Sequence, residues 1–100
     1  MAEFKCYVCN STVKTGEKFT FTKKGSVHYD CYVSSKRQNI DPSKEEEFRT
    51  LAMLLDYSLQ ALLNAMSIQT QKESAAEAKR QSIQTYEKLA GDITKKMEEL

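Results

Sequence analysis

The segment "KCYVCN", residues 5–10, is followed eighteen residues after its second cysteine by "HYDC", residues 28–31. These two segments contain all three cysteines and the only histidine of the chain: Cys6, Cys9, His28 and Cys31. Two ligand pairs, each spanning one tight turn, are what a tetrahedral zinc ion requires when the fold brings the two turns together. The spacing therefore predicts one zinc ion bound through these four side chains.

Three other interpretations of the cysteines compete with zinc. A dithiol redox site needs C-x-x-C at the start of a helix in a strand–helix–strand unit, and the sequence has no such pattern. A disulfide would leave one of the three cysteines unpaired and is typical of secreted chains. Burial as small apolar residues would not explain two correctly spaced pairs. Zinc remains the favoured interpretation, and four protein ligands predict a structural rather than a catalytic ion.

The residues between the two pairs predict a small α+β finger of the treble-clef kind. Asn10 follows the second cysteine, where the chain turns through a left-handed conformation that asparagine tolerates. "EKFTFT" predicts a strand whose apolar face carries Phe19 and Phe21, and "KKGS" predicts a hairpin turn at Gly25. "YDCYVSSKRQ" then predicts a short helix that carries Cys31.

The finger resembles two known groups of proteins. Its C-x2-C, eighteen residues and H-x2-C are similar to the first zinc half of a LIM domain. The stretch "GEKFTFTKKGSVHYDCY" resembles a small family of uncharacterised archaeal proteins with the same finger. The resemblance covers about residues 4–33. A complete LIM domain has a second zinc half, and this chain has no cysteines left to build one.

The composition changes at residues 39–42, which divides the chain into a finger, residues 1–40, and a helical arm, residues 41–100. The finger holds seven Lys/Arg against three Asp/Glu, a net charge of +4, and the arm eight against eleven, a net charge of −3. Asp41 and Pro42 predict a helix start, with Asp41 as the N-cap. Glu45, Glu46 and Glu47 would then lie near the positive end of the helix dipole.

Two apolar seams predict that the arm is helical. The first consists of Phe48, Leu51, Leu55, Leu62 and Ala65, widened by Leu54, Leu59, Met66 and Ile68. The second is a heptad seam: Ala76, Lys79, Ile83, Tyr86, Ala90, Ile93, Met97 and Leu100. The segment between them, "SIQTQKESAAEAKRQ", has no Gly or Pro but contains two candidate capping boxes, at Thr70–Glu73 and Ser74–Glu77. A helical hairpin is favoured over one uninterrupted helix or coiled coil.

The helical arm predicts assembly as the function. Leu54, Leu63, Ile68 and Leu89 exceed what one pair of helix faces can cover, which indicates a homodimer or another protein as partner. The favoured function is a non-enzymatic adaptor or assembly module, because no nucleophile–base pair, phosphate loop or open metal site is visible. No small-molecule substrate is expected.

Nucleic-acid binding through the finger is the alternative function. Phosphates would be bound by basic residues and bases would stack on aromatic rings: Lys14, Lys18, Lys23, Lys24, Lys36, Arg37, Tyr7, Phe19 and Tyr29. The longest apolar stretch, Leu51 to Leu55, is far shorter than the roughly 20 residues of a membrane span. The first residues show no apolar signal region, so a cytoplasmic location without membrane contact is expected.

Overall fold

The computed structural model of the protein describes residues 4–100. A two-stranded antiparallel sheet, β1 (Phe19–Thr22) and β2 (Gly25–His28), leads into the short helix α1 (Tyr29–Arg37). A single 3-10 turn (Pro42–Lys44) then precedes the long helices α2 (Glu45–Met66) and α3 (Glu73–Glu98). The predicted architecture, a small α+β unit followed by a helical hairpin, is confirmed.

Local conformations in the first forty residues follow from particular residue types. Asn10 has φ of 64° and Gly25 has φ of 119°, both in the left-handed region that these residues tolerate best. Gly25 pairs with Thr22 across the hairpin, so the two strands are joined by Lys23 and Lys24 alone. Both predicted turns are confirmed.

The predicted strand is confirmed and its apolar face carries Phe19 and Phe21, but the protein buries the opposite face. Thr20 is 5% exposed, whereas Phe21 is 55% exposed. The register explains the difference: Thr20 is paired with Val27, which is fully buried, and directly paired residues lie on the same face of a sheet. Val27 therefore determines which face of the hairpin enters the core, and Phe19 and Phe21 lie on the other face.

The start of α2 agrees with its sequence signals. The Asp41 side chain accepts a hydrogen bond from the Ser43 N–H at 2.9 Å, and Pro42 occupies the first position of the 3-10 turn. Three glutamates occupy the first turn of α2, near the positive end of its dipole.

The break between α2 and α3 spans residues 67–72 and confirms the hairpin over a single long helix. At the end of α2, the Ser67 hydroxyl donates to the Asn64 carbonyl at 2.7 Å. The predicted capping boxes are wrong: α3 begins at Glu73 after Lys72, which makes no side-chain capping hydrogen bond. The Lys79 ammonium instead reaches back to the Ile68 carbonyl at 2.6 Å and ties α3 to the loop.

The heptad seam of α3 is confirmed as its inward face. Ala90, Ile93 and Met97 are buried, and the other five seam residues are half-buried. On α2 the buried residues are Phe48, Leu51, Ala52, Leu55, Ser58, Leu59 and Ala65. Leu54, Met66, Ile68 and Leu89 remain exposed by about half of their surface.

The finger packs directly against the hairpin. One hydrophobic cluster contains Val27, Tyr32 and Val33 from the finger together with residues of α2 and α3. Two hydrogen bonds cross the boundary: the Tyr29 hydroxyl donates to the Ala52 carbonyl at 2.6 Å, and the Thr20 and Thr94 hydroxyl oxygens lie 2.7 Å apart. The change in composition at residues 39–42 therefore does not coincide with a break in the core. Among the described residues, no helix combines the length and hydrophobicity needed to cross a membrane.

Candidate metal centre

The fold brings together all four predicted ligands. Cys6 and Cys9 lie in a tight turn framed by the bridge between Lys5 and Thr12. His28 is the last residue of β2, and Cys31 lies in the first turn of α1. The four ligand atoms lie within 4.8 Å of one another.

Backbone hydrogen bonds fix the cysteine turn. The Asn10 N–H donates to the Cys6 carbonyl at 2.8 Å, and the Cys6 N–H donates to the Ser11 carbonyl at 2.9 Å. The His28 N–H points at the Cys6 sulfur at 3.4 Å, which holds the turn against the end of β2. The site is therefore positioned mainly by backbone, which leaves the four side chains available as ligands.

The distances between ligand atoms fit a tetrahedral ion. His28 Nδ1 lies 3.4 Å from Cys9 Sγ and 3.9 Å from Cys31 Sγ. Bond lengths of about 2.3 Å to sulfur and about 2.0 Å to nitrogen place tetrahedral ligands about 3.5–3.8 Å apart. Three cysteines and one histidine are also a donor set typical of structural zinc sites. The residues fit a zinc ion in both geometry and chemistry.

The pKa values of the cysteines show why the site favours a cation. Burial opposes ionisation of Cys6, but the N–H groups of Cys9, His28 and Val8 lower its pKa to about 6. The Ser11 N–H likewise lowers the pKa of Cys9. Burial, together with the Cys6 and Cys9 sulfurs, raises the pKa of Cys31 to about 12. Without a metal, the cluster therefore cannot hold three thiolates at neutral pH, and a bound cation would remove that conflict.

His28 is held from both sides of its ring. Its Nδ1 faces the sulfurs, and its Nε2 lies 3.2 Å from Glu17 Oε1. Burial lowers the pKa of His28, but the Cys6 and Cys9 sulfurs and Glu17 outweigh it and raise the pKa to about 8. The orientation of the His28 ring is therefore set on one side by the cysteine sulfurs and on the other by Glu17. Sequence analysis did not single out Glu17, although its place in the "TGEK" turn beside the strand was a usable signal.

The arrangement does not match the two competing uses of cysteine. The three cysteines are free of disulfides. Cys6 and Cys9 lie in a turn between two bridged segments, not at a helix N-terminus, where a redox C-x-x-C has its thiolate stabilised. The cluster has the composition of a metal site.

Comparison with models of protein families assigns the chain to one family. The model of a family described as "Uncharacterized protein conserved in archaea" (DUF2175) matches residues 2–99. The chain belongs to this family. The comparisons with curated proteins and with solved structures gave no match. The family match therefore covers the helical hairpin as well as the finger in which the resemblance was found.

Several finger residues that the sequence suggested for nucleic-acid binding instead contact other parts of the same chain, mainly α2. The Lys18 ammonium lies 2.6 Å from Asp56 of α2. The Arg37 guanidinium lies 6.0 Å from the centroid of the Phe48 ring. Tyr29 donates its hydroxyl to α2, and Tyr7 packs against the core. Lys18, Arg37 and Tyr29 therefore help to hold the finger on the hairpin.

An apolar groove lies where the finger meets the last turns of α2. Its volume is about 480 Å³. The finger contributes Phe4, Val13, Phe19 and the turn at residues 14–17, and α2 contributes Leu59, Leu62, Leu63 and Met66. Phe4, Phe19 and Phe21 form an aromatic cluster at one rim, with ring centroids 5.1–6.0 Å apart. Sequence analysis missed the groove because its two walls are distant in the chain.

Proposed function

We propose that this protein is a non-enzymatic assembly module in which a structural zinc ion fixes the finger and the apolar groove binds a protein partner. The favoured partner is a second copy of the chain, bound with α2 as a main part of the interface. The groove is the observation that carries the proposal. It unites side chains of the finger and of α2, so it exists only when the finger is docked on the hairpin.

A structural role for the zinc ion follows from the ligand set. Three cysteines and one histidine complete a tetrahedron and leave no position for a water molecule or a substrate. The finger has few apolar residues of its own, and units of about forty residues usually need a metal or disulfides to remain folded. Metal binding would therefore contribute folding free energy to the finger rather than chemistry.

The exposure of the residues in and around the groove favours a macromolecular partner. Phe4 is 43% exposed and Met66 is 51% exposed. Phe21, which is also more than half exposed, packs edge-on against Phe4 and continues the apolar surface beyond the groove. Each such side chain contributes up to about 1.5–3 kcal/mol when fully buried, before the entropic cost of association. A contiguous apolar surface of this kind usually marks an interface.

Nucleic-acid binding is less well supported. Of the proposed phosphate-binding residues, Lys18 and Arg37 have partners on α2, and of the proposed stacking residues, Tyr29 is bonded to α2. The groove does contain Lys14 and Lys18, but its lining is mostly apolar and Lys18 is paired with Asp56. Binding of DNA or RNA that falls steeply with salt concentration would favour this alternative.

The matched variants Met66→Glu and Met53→Glu test the proposal. Both methionines lie on α2 and both are 51% exposed, but only Met66 lines the groove. Light scattering of the zinc-loaded protein at micromolar to millimolar concentration should show about twice the chain mass of 11.4 kDa. Met66→Glu should reduce the measured mass to that of one chain, whereas Met53→Glu should keep the mass of the wild type.

A second measurement covers a partner other than the chain itself. The wild type and both variants are immobilised on a resin and incubated with nuclease-treated extract of the source cells. A protein retained by the wild type and Met53→Glu but not by Met66→Glu identifies the groove as its binding site. A monomeric wild type that retains no protein through the groove would overturn the proposed function.

A further inference from the structure

The environment of Glu17 connects the candidate metal site to a turn that makes no metal contact. Glu17 Oε1 lies 3.2 Å from His28 Nε2, the ring nitrogen that points away from the sulfurs. The other ring nitrogen, Nδ1, lies 3.4 Å from Cys9 Sγ and 3.9 Å from Cys31 Sγ. The imidazole thus lies between a carboxylate and the ligand cluster.

The turn that carries Glu17 holds its carboxylate in place. The Glu17 N–H donates to the Lys14 carbonyl at 3.1 Å, which closes a four-residue turn. Gly16, at the third position, has φ of 92°, as a type II turn requires. The Lys14 N–H donates to Glu17 Oε1 at 2.6 Å, so the carboxylate is fixed by its own turn before it meets His28. A side chain restrained in this way loses little further entropy when it binds the imidazole.

We propose that Glu17 is a positioning residue for the zinc site and selects the ring nitrogen through which His28 binds the metal. A neutral imidazole carries one proton, on one of its two nitrogens. By accepting a hydrogen bond from Nε2–H, Glu17 keeps the proton on Nε2 and leaves the Nδ1 lone pair directed at the ion. It also fixes the plane of the ring toward the three sulfurs. Partners of this kind, beyond the ligands themselves, typically change metal affinity by about 10–100-fold.

A simple surface ion pair is the competing explanation. The Glu17 side chain is 44% exposed, and pairs between exposed charges contribute little to stability. His28, however, is only 15% exposed at its side chain and faces the sulfurs with its other nitrogen. A surface pair would leave zinc affinity and the choice of ring nitrogen unchanged, whereas a positioning residue would alter both. The two explanations therefore predict different measurements.

The experiment compares Glu17→Gln and Glu17→Ala with the wild type, using the full chain. Zinc affinity is measured by competition with a chromophoric chelator at fixed pH, and Glu46→Ala, on the exposed surface of α2, serves as the control. Glu17→Ala should bind zinc about 10–100-fold more weakly, and Glu17→Gln should recover part of the loss, because its amide oxygen can still accept from Lys14 and His28. Glu46→Ala should match the wild type.

Nitrogen-15 spectra of the imidazole give a readout that stability alone does not change. His28 is the only histidine of the chain, so its signals need no further assignment. The zinc-loaded wild type should show a metal-bound Nδ1 and a protonated Nε2 whose hydrogen exchanges slowly. In Glu17→Ala that hydrogen should exchange faster. Binding through Nε2 in the wild type, or zinc affinity of Glu17→Ala within about twofold of the wild type, would overturn the proposal.

Discussion

Replacing Thr94 by valine removes a hydroxyl from the contact between β1 and α3 while keeping the shape of the side chain. Thr94 is fully buried and Thr20 is 5% exposed. Thr94 Oγ1 donates to the Ala90 carbonyl at 2.8 Å and lies 2.7 Å from Thr20 Oγ1. Because each hydroxyl has one proton, Thr20 is the donor to Thr94. The two residues therefore have unequal roles.

The direction of these hydrogen bonds sets the magnitude of each substitution. Thr94→Val leaves the buried Thr20 hydroxyl without an acceptor, which costs about 1–3 kcal/mol of unfolding free energy. Thr20→Val removes only one net hydrogen bond, about 0.5–1.5 kcal/mol, because Thr94 still donates to Ala90. The double variant replaces both hydroxyls with methyl groups, so it should be more stable than Thr94→Val alone.

Urea unfolding of the zinc-loaded protein, followed by circular dichroism, measures all three variants. For a chain of this size, Thr94→Val should lower the unfolding midpoint by about 1 M. The double-mutant cycle isolates the coupling between the two hydroxyls. Equal losses in the two single variants would refute the inferred direction of the bond, and losses that simply add in the double variant would refute the coupling itself.

Three further expected outcomes concern the metal site. Protein purified without chelator should contain one zinc per chain. The Cys9→Ser variant should contain markedly less zinc and lose the native amide spectrum of residues 4–36, and an unchanged spectrum would contradict the ligand assignment. Chelation should unfold the finger and also reduce the helical signal, because both parts share one core; an undiminished signal would show that the arm is stable alone, as the composition suggested. At pH 7, zinc binding should release protons from His28 and Cys31, because their pKa values, about 8 and about 12, both lie above 7. Affinity should therefore rise from pH 6 to pH 8, and calorimetry in buffers of different ionisation enthalpy checks this; a release of no protons would contradict it.

The sequence predicted the candidate site because its information is local. Each ligand pair spans one turn, and a chain with one histidine and three cysteines offers few other combinations. The helical hairpin was also predictable, because two apolar seams of different width are typical of two helices. The capping boxes failed because Thr and Glu at the right spacing occur often in polar segments, and α3 begins without a side-chain cap.

The features that sequence analysis misassigned depend on contacts between distant segments. Alternation in "FTFT" showed that β1 has two different faces, but the pairing of Thr20 with Val27 decides which face is buried. Hydrophobicity alone favoured burial of the phenylalanines. The hydroxyl group that pairs with Thr20 and allows its burial lies on α3, so the local sequence of β1 does not show it. The groove likewise combines Phe4 with Met66, and no local pattern relates these positions.

The contact between Thr20 and Thr94 also has a consequence for synthesis on the ribosome. Its two residues are 74 positions apart, and α3 is the last of the described helices to be synthesised. At about 5–20 residues per second, the ribosome adds residues 38–94 in about 3–11 s after completing the finger. During that interval the finger can take up its metal, but the face that carries Thr20 has no α3 to cover it. Burial of that face of β1 therefore has to wait until α3 has been synthesised, whether or not the finger has already bound its metal.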